Sequence, residues 1–309
     1  MNLIVSPGLF RLMLALMVVV SHVSALDIGR PAVLLFFYLS GYWATKIWDQ
    51  KFGLQGIGRF YAARYLRIIP LYLVVMLTTA WLRGFPVQAP NVILLGLASG
   101  DTLDPIGVSW SLDVELQFYL ILPLLGWLLT VAKTRWLIVG VLGVAAVGYF
   151  IDQSFGILTV AKFMPIFALG AATCRHNWRP SQRMAFLSLG AFVVATGLTA
   201  LTPFLLKGAG HANPFDADIY NFLWMLPLLP YVAFSLTTKS SKLDRHLGNL
   251  SYPLYLVHAP TFALLAGGKV MEIGVALLLA VGLYVLFDRP ADRWRVRLTE
   301  GPVSARKLA

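Results

Sequence analysis

The chain has 309 residues, of which 58% are hydrophobic and 13% charged, with a mean hydropathy of +0.74. Soluble domains carry roughly a quarter charged residues, so a soluble globular fold is excluded. The formal charge of +11 does not point to nucleic acid, because the positive residues sit between apolar segments, as membrane topology requires. One cysteine, Cys174, excludes an internal disulfide, and the five histidines lack the spacing of a zinc site. No metal is expected.

A helix needs ~20 mostly apolar residues to cross a hydrocarbon core of ~30 Å. The sequence offers such segments almost end to end and predicts an all-α polytopic transmembrane helix bundle of about ten helices. The predicted spans are 9–26, 31–48, 67–83, 113–131, 135–151, 156–174, 184–206, 219–237, 249–267 and 271–288. The run Val92 to Ala98 is too short to cross and is expected to dip back or lie at the interface. Residues 1–8 lack a basic n-region, so the first run reads as a mature helix rather than a cleaved leader. The chain divides on this reading into a membrane domain, 1–290, and a basic cytoplasmic tail, 291–309.

Positive residues are retained on the cytoplasmic side. Of the 25 lysines and arginines, nineteen fall in loops of one side and only Arg30, Arg83, Lys207 and Lys269 on the other. Arg11 and Lys162 fall inside predicted helices. An even number of spans with this alternation puts both termini in the cytoplasm.

An ionisable side chain at membrane depth costs at least ~2.5 kcal/mol on insertion scales, so each one calls for a partner, a watery cavity or a function. Arg11 and His22 are eleven residues apart in the first span. In a helix that separation is about 20° past three full rotations and ~16 Å along the axis, so one stripe carries an arginine near the cytoplasm and a histidine near the outer surface. A snorkelling arginine beside a packed histidine explains the same pair equally well.

Next, Arg64 and Arg67 in Phe60-Tyr61-Ala62-Ala63-Arg64-Tyr65-Leu66-Arg67 lie just ahead of the third predicted span. Guanidinium pairs suit phosphate, although ordinary anchoring to anionic headgroups also explains them. In Ser109-Trp110-Ser111-Leu112-Asp113-Val114-Glu115-Leu116-Gln117-Phe118-Tyr119, Ser111 reads as a helix cap and Asp113 as a first-turn complement to the helix dipole. Glu115 enters an apolar helix, where it calls for a partner such as His22 or an acceptor hydroxyl, or else sits in interfacial water. His258, in Leu250-Ser251-Tyr252-Pro253-Leu254-Tyr255-Leu256-Val257-His258, either lines a cavity or packs in the core, and packing is the commoner fate of a lone histidine. The glycines of 140–148 and Gly170 read as close helix packing.

Together these segments resemble the acyltransferase 3 family of integral membrane acyltransferases, many of which O-acetylate bacterial surface polysaccharides. The resemblance rests on Arg11 and His22 as an Arg-x10-His pair, the aromatic second helix Leu34 to Tyr42, and Arg64 and Arg67 as Arg-x-x-Arg. It continues through Ser109 to Tyr119 and the stretch ending at His258. The family's closing Glu-x-Pro appears as Asp288-Arg289-Pro290, with nineteen residues beyond it.

The resemblance implies a donor such as acetyl-CoA reached from the cytoplasm, no tightly bound cofactor, and an acceptor hydroxyl on a surface or secreted glycan. It implies the inner membrane of a bacterium as the location. On this implication Arg64, Arg67 and Arg11 hold the phosphates of acyl-CoA and His22 is the general base or acyl carrier. Glu115 orients His22 or binds the acceptor, and Ser111, Tyr119 and His258 line the acceptor site. A transporter or flippase without group-transfer chemistry is the competing reading, since buried Arg, His and Glu also describe a translocation path. No internal repeat supports it.

Overall fold

The structure, a computed structural model, describes residues 5–100, 102–200, 217–265 and 267–300. Residues 201–206 of the seventh predicted span, Lys207, Arg306 and Lys307 lie outside the described residues. The described residues are all-helical. In chain order the helices are α1 (Pro7–Val23), α2 (Gly29–Ile47), α3 (Ile57–Arg83), α4 (Ala89–Ile93), α5 (Ser109–Val131), α6 (Thr134–Phe155) and α7 (Val160–Arg175). They continue as α8 (Gln182–Ala200), α9 (Ala217–Met225), α10 (Leu229–Ser235), α11 (Lys242–Leu264), α12 (Lys269–Leu283) and α13 (Arg289–Glu300).

Five segments among the described residues are long and apolar enough to cross a membrane: Leu54–Arg83, Ser109–Val131, Thr134–Phe155, Gln182–Thr199 and Lys269–Glu300. The α6 segment is decisive, because its mean hydropathy is 1.7 yet only 6% of it is buried within the protein. Trp136, Ile138, Val139, Leu142, Val147 and Phe150 all stand exposed on it. Such a surface is stable only against hydrocarbon.

Several boundaries differ from expectation for local reasons. The third helix begins at Ile57, about ten residues earlier than hydropathy alone predicts, because Ala62, Ala63, Arg64, Leu66 and Arg67 are good helix formers although not all apolar. The eighth predicted span is broken by a tight turn at Leu226–Leu228, where Pro227 and Pro230 each remove a backbone N–H. After α12 a wide turn, Tyr284–Asp288, leads directly into α13, so the first ten residues of the expected tail are helical and pack on α3.

The chain forms two compact units, Met1–Phe36 with His176–Tyr252, and Phe37–Arg175 with Pro253–Ala309. In the first unit, α1 is anchored at its start by Asp244. The carboxylate accepts from the backbone N–H of Gly8 at 3.1 Å and of Leu9 at 2.8 Å, and from the hydroxyls of Ser6 and Ser240. It thereby satisfies two of the donors that a helix start leaves open. Burial pushes the Asp244 carboxyl up, but these accepted hydrogen bonds outweigh it and hold the group below its ordinary value of 3.8. The backbones can approach because residue 8 is glycine: a Cβ there would stand 1.8 Å from the Asp244 carbonyl oxygen. Elsewhere in the unit, Arg30 on α2 pairs with Asp218 on α9.

In the second unit, α2 and α7 cross with their backbones in contact. A Cβ on Gly41 would lie 2.2 Å from the Phe167 carbonyl oxygen, and one on Gly170 would lie 2.0 Å from that of Tyr38. The expected packing role thus falls on Gly170, and also on Gly148, whose Cβ would meet the Lys162 nitrogen at 2.2 Å; Gly140 and Gly143 face open space. Phe37, Phe118 and Phe167 stack at this crossing, with ring centroids 4.7 Å apart for Phe37 and Phe167 and 4.2 Å for Phe118 and Phe167. The expected charge inside the sixth span, Lys162, is paired with Asp152 at 2.6 Å.

Candidate functional site

On α1 of the first unit, Leu14, Ala15, Val18 and Val19 bury one arc and Leu9, Met13 and Val20 expose the other. At 100° per residue Arg11 and His22 fall inside the buried arc, about 20° apart. They lie opposite the exposed apolar stripe, so neither is a snorkelling group on the lipid side. His22 Nδ1 is 2.9 Å from the Val18 carbonyl oxygen. A carbonyl has no proton to give, so Nδ1–H donates and the lone pair of the neutral ring is on Nε2. The side chain is exposed at the end of the helix. A local i to i−4 bond therefore presents a basic nitrogen at the far end of the stripe that Arg11 begins.

In the second unit, Ser111, Glu115 and Tyr119 recur every fourth residue on α5, opposite exposed Leu120, Leu124, Trp127 and Val131. The Glu115 carboxylate accepts from the hydroxyls of Ser40 on α2 and Tyr119 on its own helix. Beside them, the Arg64 guanidinium carbon lies 5.9 Å from the centroid of the Tyr119 ring. Ser40, Arg64, Glu115 and Tyr119 thus form one polar cluster drawn from three helices. Arg64 is only 8% exposed, and its Nε has no hydrogen-bond partner among the described residues.

Arg67, one turn further along α3, has a different setting. Its Nη1 donates to Asp288 at 2.7 Å and its Nε is 3.8 Å from Asp292. Asp292 also accepts from Arg295 at 2.9 Å on α13. The Arg-x-x-Arg element and the closing Asp288-Arg289-Pro290 are thereby joined in one buried ion-pair network.

At the other end of α5 the hydroxyls of Ser111 and Tyr255 are 2.6 Å apart. His258 is fully buried one turn along α11, with ring contacts to Tyr255 and Phe262, and its Nδ1 lies 3.3 Å from the Leu254 carbonyl oxygen. Ser111 is not the helix cap that its position suggested. The helix starts two residues earlier, with Val108 at the cap position, and Asp104 from the preceding loop accepts from the backbone N–H of Ser109 at 2.8 Å and from its hydroxyl at 2.8 Å. Asp113 likewise lies beyond the first turn, fully buried, and accepts from the Ala98 backbone N–H and the Gln117 amide.

The residues missed by sequence reasoning are Ser40, Tyr255, Asp292 and Arg295. Ser40 and Tyr255 lay within quoted segments, and a hydroxyl in an apolar helix was the available signal. Nothing in the local sequence marks Asp292 or Arg295 among the many charges of 289–300.

No group of three or more histidine, cysteine, aspartate or glutamate side chains among the described residues is placed to hold a metal. No curated protein and no solved structure matches the chain. The family of the acyltransferase domain, acyltransferase 3, matches residues 4–288, from before α1 to the Asp288 that pairs with Arg67, and over that length the chain belongs to it.

Proposed function

We propose that this membrane acyltransferase moves an acetyl or other short acyl group from cytoplasmic acyl-CoA to a hydroxyl of a surface or secreted glycan. The observation that carries the reading is His22: its Nδ1–H is tied to the Val18 carbonyl, so Nε2 is the basic nitrogen. An imidazole nitrogen can take the proton of a hydroxyl and return it.

In the reaction Nε2 accepts the proton of the acceptor hydroxyl as its oxygen attacks the thioester carbonyl. The C–O bond forms, the C–S bond breaks, and the imidazolium returns the proton to the departing thiolate. Alternatively, Nε2 attacks the thioester carbonyl itself: the C–N bond forms as the C–S bond breaks and CoA leaves as the thiolate, after which the acceptor oxygen takes the acyl group as the C–N bond breaks and the hydroxyl proton passes to the thiolate.

Arg64 holds the donor phosphate. Arg64 has the donor nitrogen still open, whereas Arg67 is already engaged by Asp288 and Asp292. The Glu115 cluster, with Ser111, Tyr119 and His258, lines the acceptor side, where Glu115 binds the acceptor. In this reading about ten spans cross the inner membrane of a bacterium with both termini cytoplasmic.

The test is purified protein incubated with labelled acetyl-CoA and a panel of glycans, followed by mass spectrometry. A mass gain of one acetyl group on a glycan is the expected result. Solute flux into liposomes without consumption of acetyl-CoA would replace this reading with transport.

A further inference from the structure

One end of the second unit holds a cluster of buried guanidinium groups whose hydrogen bonds do not close among the described residues. Arg64 is 8% exposed and Arg295 is 6% exposed. Arg295 Nε is used, donating to Asp292 at 2.9 Å. Its Nη1 makes no hydrogen bond among the described residues: it is paired in charge with Glu300 Oε1 at 3.6 Å, too far for a hydrogen bond, while Lys51 donates to the other oxygen of that carboxylate. Arg64 Nε is open as well. The two arginines come from packed helices, α3 and α13, and Asp292 on α13 meets both Arg295 and Arg67, which lies one turn from Arg64 on α3.

Charge is near balance here, since Asp288, Asp292 and Glu115 face Arg67, Arg295 and Arg64. Hydrogen bonding is not, because Arg64 Nε and Arg295 Nη1 lack acceptors among the described residues, and buried donors are almost always satisfied. A group with several acceptor oxygens about one centre can serve both. Phosphate is that group, and guanidinium is the side chain suited to it.

We propose that Arg295 and Arg64 together bind a phosphate group, with Arg67 held back by Asp288 and Asp292 as the ion pair that positions α13 against α3. Arg295 lies seven residues beyond the last residue that the family match covers, so the site is completed by this chain's own closing helix. The phosphate has two chemical sources, the phosphorylated end of the donor thioester or an anionic lipid headgroup. The first rests on the function proposed above; the second does not.

The experiment uses the full chain in nanodiscs and titrates CoA by calorimetry, once in phosphatidylcholine and once in phosphatidylglycerol. Arg295→Gln is expected to weaken CoA binding about tenfold in phosphatidylcholine, while Arg297→Gln, on the exposed face of the same helix, leaves it unchanged. If the headgroup is the source, phosphatidylglycerol raises the melting temperature of wild type, and Arg295→Gln loses that shift. Equal CoA affinity and equal lipid response in wild type and Arg295→Gln overturn the site. Should Arg295→Gln fail to fold, Arg295→Lys keeps the charge beside Asp292 and loses the fork; several-fold weaker binding is then expected, and wild-type affinity overturns the assignment. A protein that binds CoA through Arg295 but transfers no acyl group keeps the site and loses the proposed function. One that transfers acetyl with the same KM after Arg295→Gln does the reverse.

Discussion

Arg67 and Asp288, 221 residues apart in sequence, form a 2.7 Å ion pair at 21% and 4% side-chain exposure. This contact ties α3 to the turn that launches α13. Removing one member of a buried pair leaves the other desolvated and unmatched. Asp288→Asn is therefore expected to destabilise the protein by about 2–3 kcal/mol, below the value for a fully buried pair because Arg67 keeps some solvent. Asp288→Glu keeps the charge and should recover most of that loss. Thermal unfolding of the two variants in detergent checks the contrast.

His22 sits exposed at the end of α1, so its truncation removes little packing. His22→Ala should keep a melting temperature close to wild type and lose acyl transfer by roughly 10²- to 10⁴-fold, the usual contribution of a general base. A variant transferring acetyl at the wild-type rate would end the assignment of His22 as the base or acyl carrier.

The Glu115 carboxylate accepts two hydroxyls, and removing either leaves it less satisfied. Tyr119→Phe and Ser40→Ala should each cost about 1–3 kcal/mol in stability, and the double variant less than the sum because both act on one acceptor. A double-mutant cycle on unfolding free energies measures this. Additive losses would show that the two hydroxyls do not share Glu115.

Asp244 is held below its ordinary value of 3.8 by the hydrogen bonds it accepts at the start of α1. The sign follows directly. The folded state binds this proton less readily than the unfolded chain, so the stabilisation is fully present above 3.8 and is lost as pH falls through the lower folded-state value. Asp244→Asn should flatten the acid limb of the melting temperature against pH while lowering it at pH 7. An unchanged acid limb would mean that Asp244 is not the group responsible.

Gly41 and Gly170 let α2 and α7 touch backbone to backbone. Gly41→Ala would force the helices apart at the Phe37, Phe118 and Phe167 stack and should cost about 1–3 kcal/mol, whereas Gly143→Ala, facing open space, should be neutral or slightly stabilising. Melting temperatures of the pair provide the comparison.

The membrane character and the all-helical class were legible before any coordinates, and the shared stripe of Arg11 and His22 followed from helical spacing alone. The packing role of Gly170 was legible too, since small residues in apolar helices mark close crossings. The start of α5 was misread because Ser111 is a sound capping residue, whereas the helix begins at Ser109 after Val108, where a loop carboxylate, Asp104, meets its first backbone N–H.

By itself the sequence determined what depends on near neighbours: which segments prefer hydrocarbon and which residues share a helix face. Hydropathy and helical period are sums over adjacent residues, so they can be read along the chain. Only the tertiary structure decided that Asp288 and Asp292 engage Arg67, that Ser40 and Tyr119 occupy Glu115, and that Arg64 and Arg295 keep unfilled donors. Ion pairs and hydrogen bonds are decided over a few ångströms, and residues that far apart in sequence reach such distances only through the packing of whole helices.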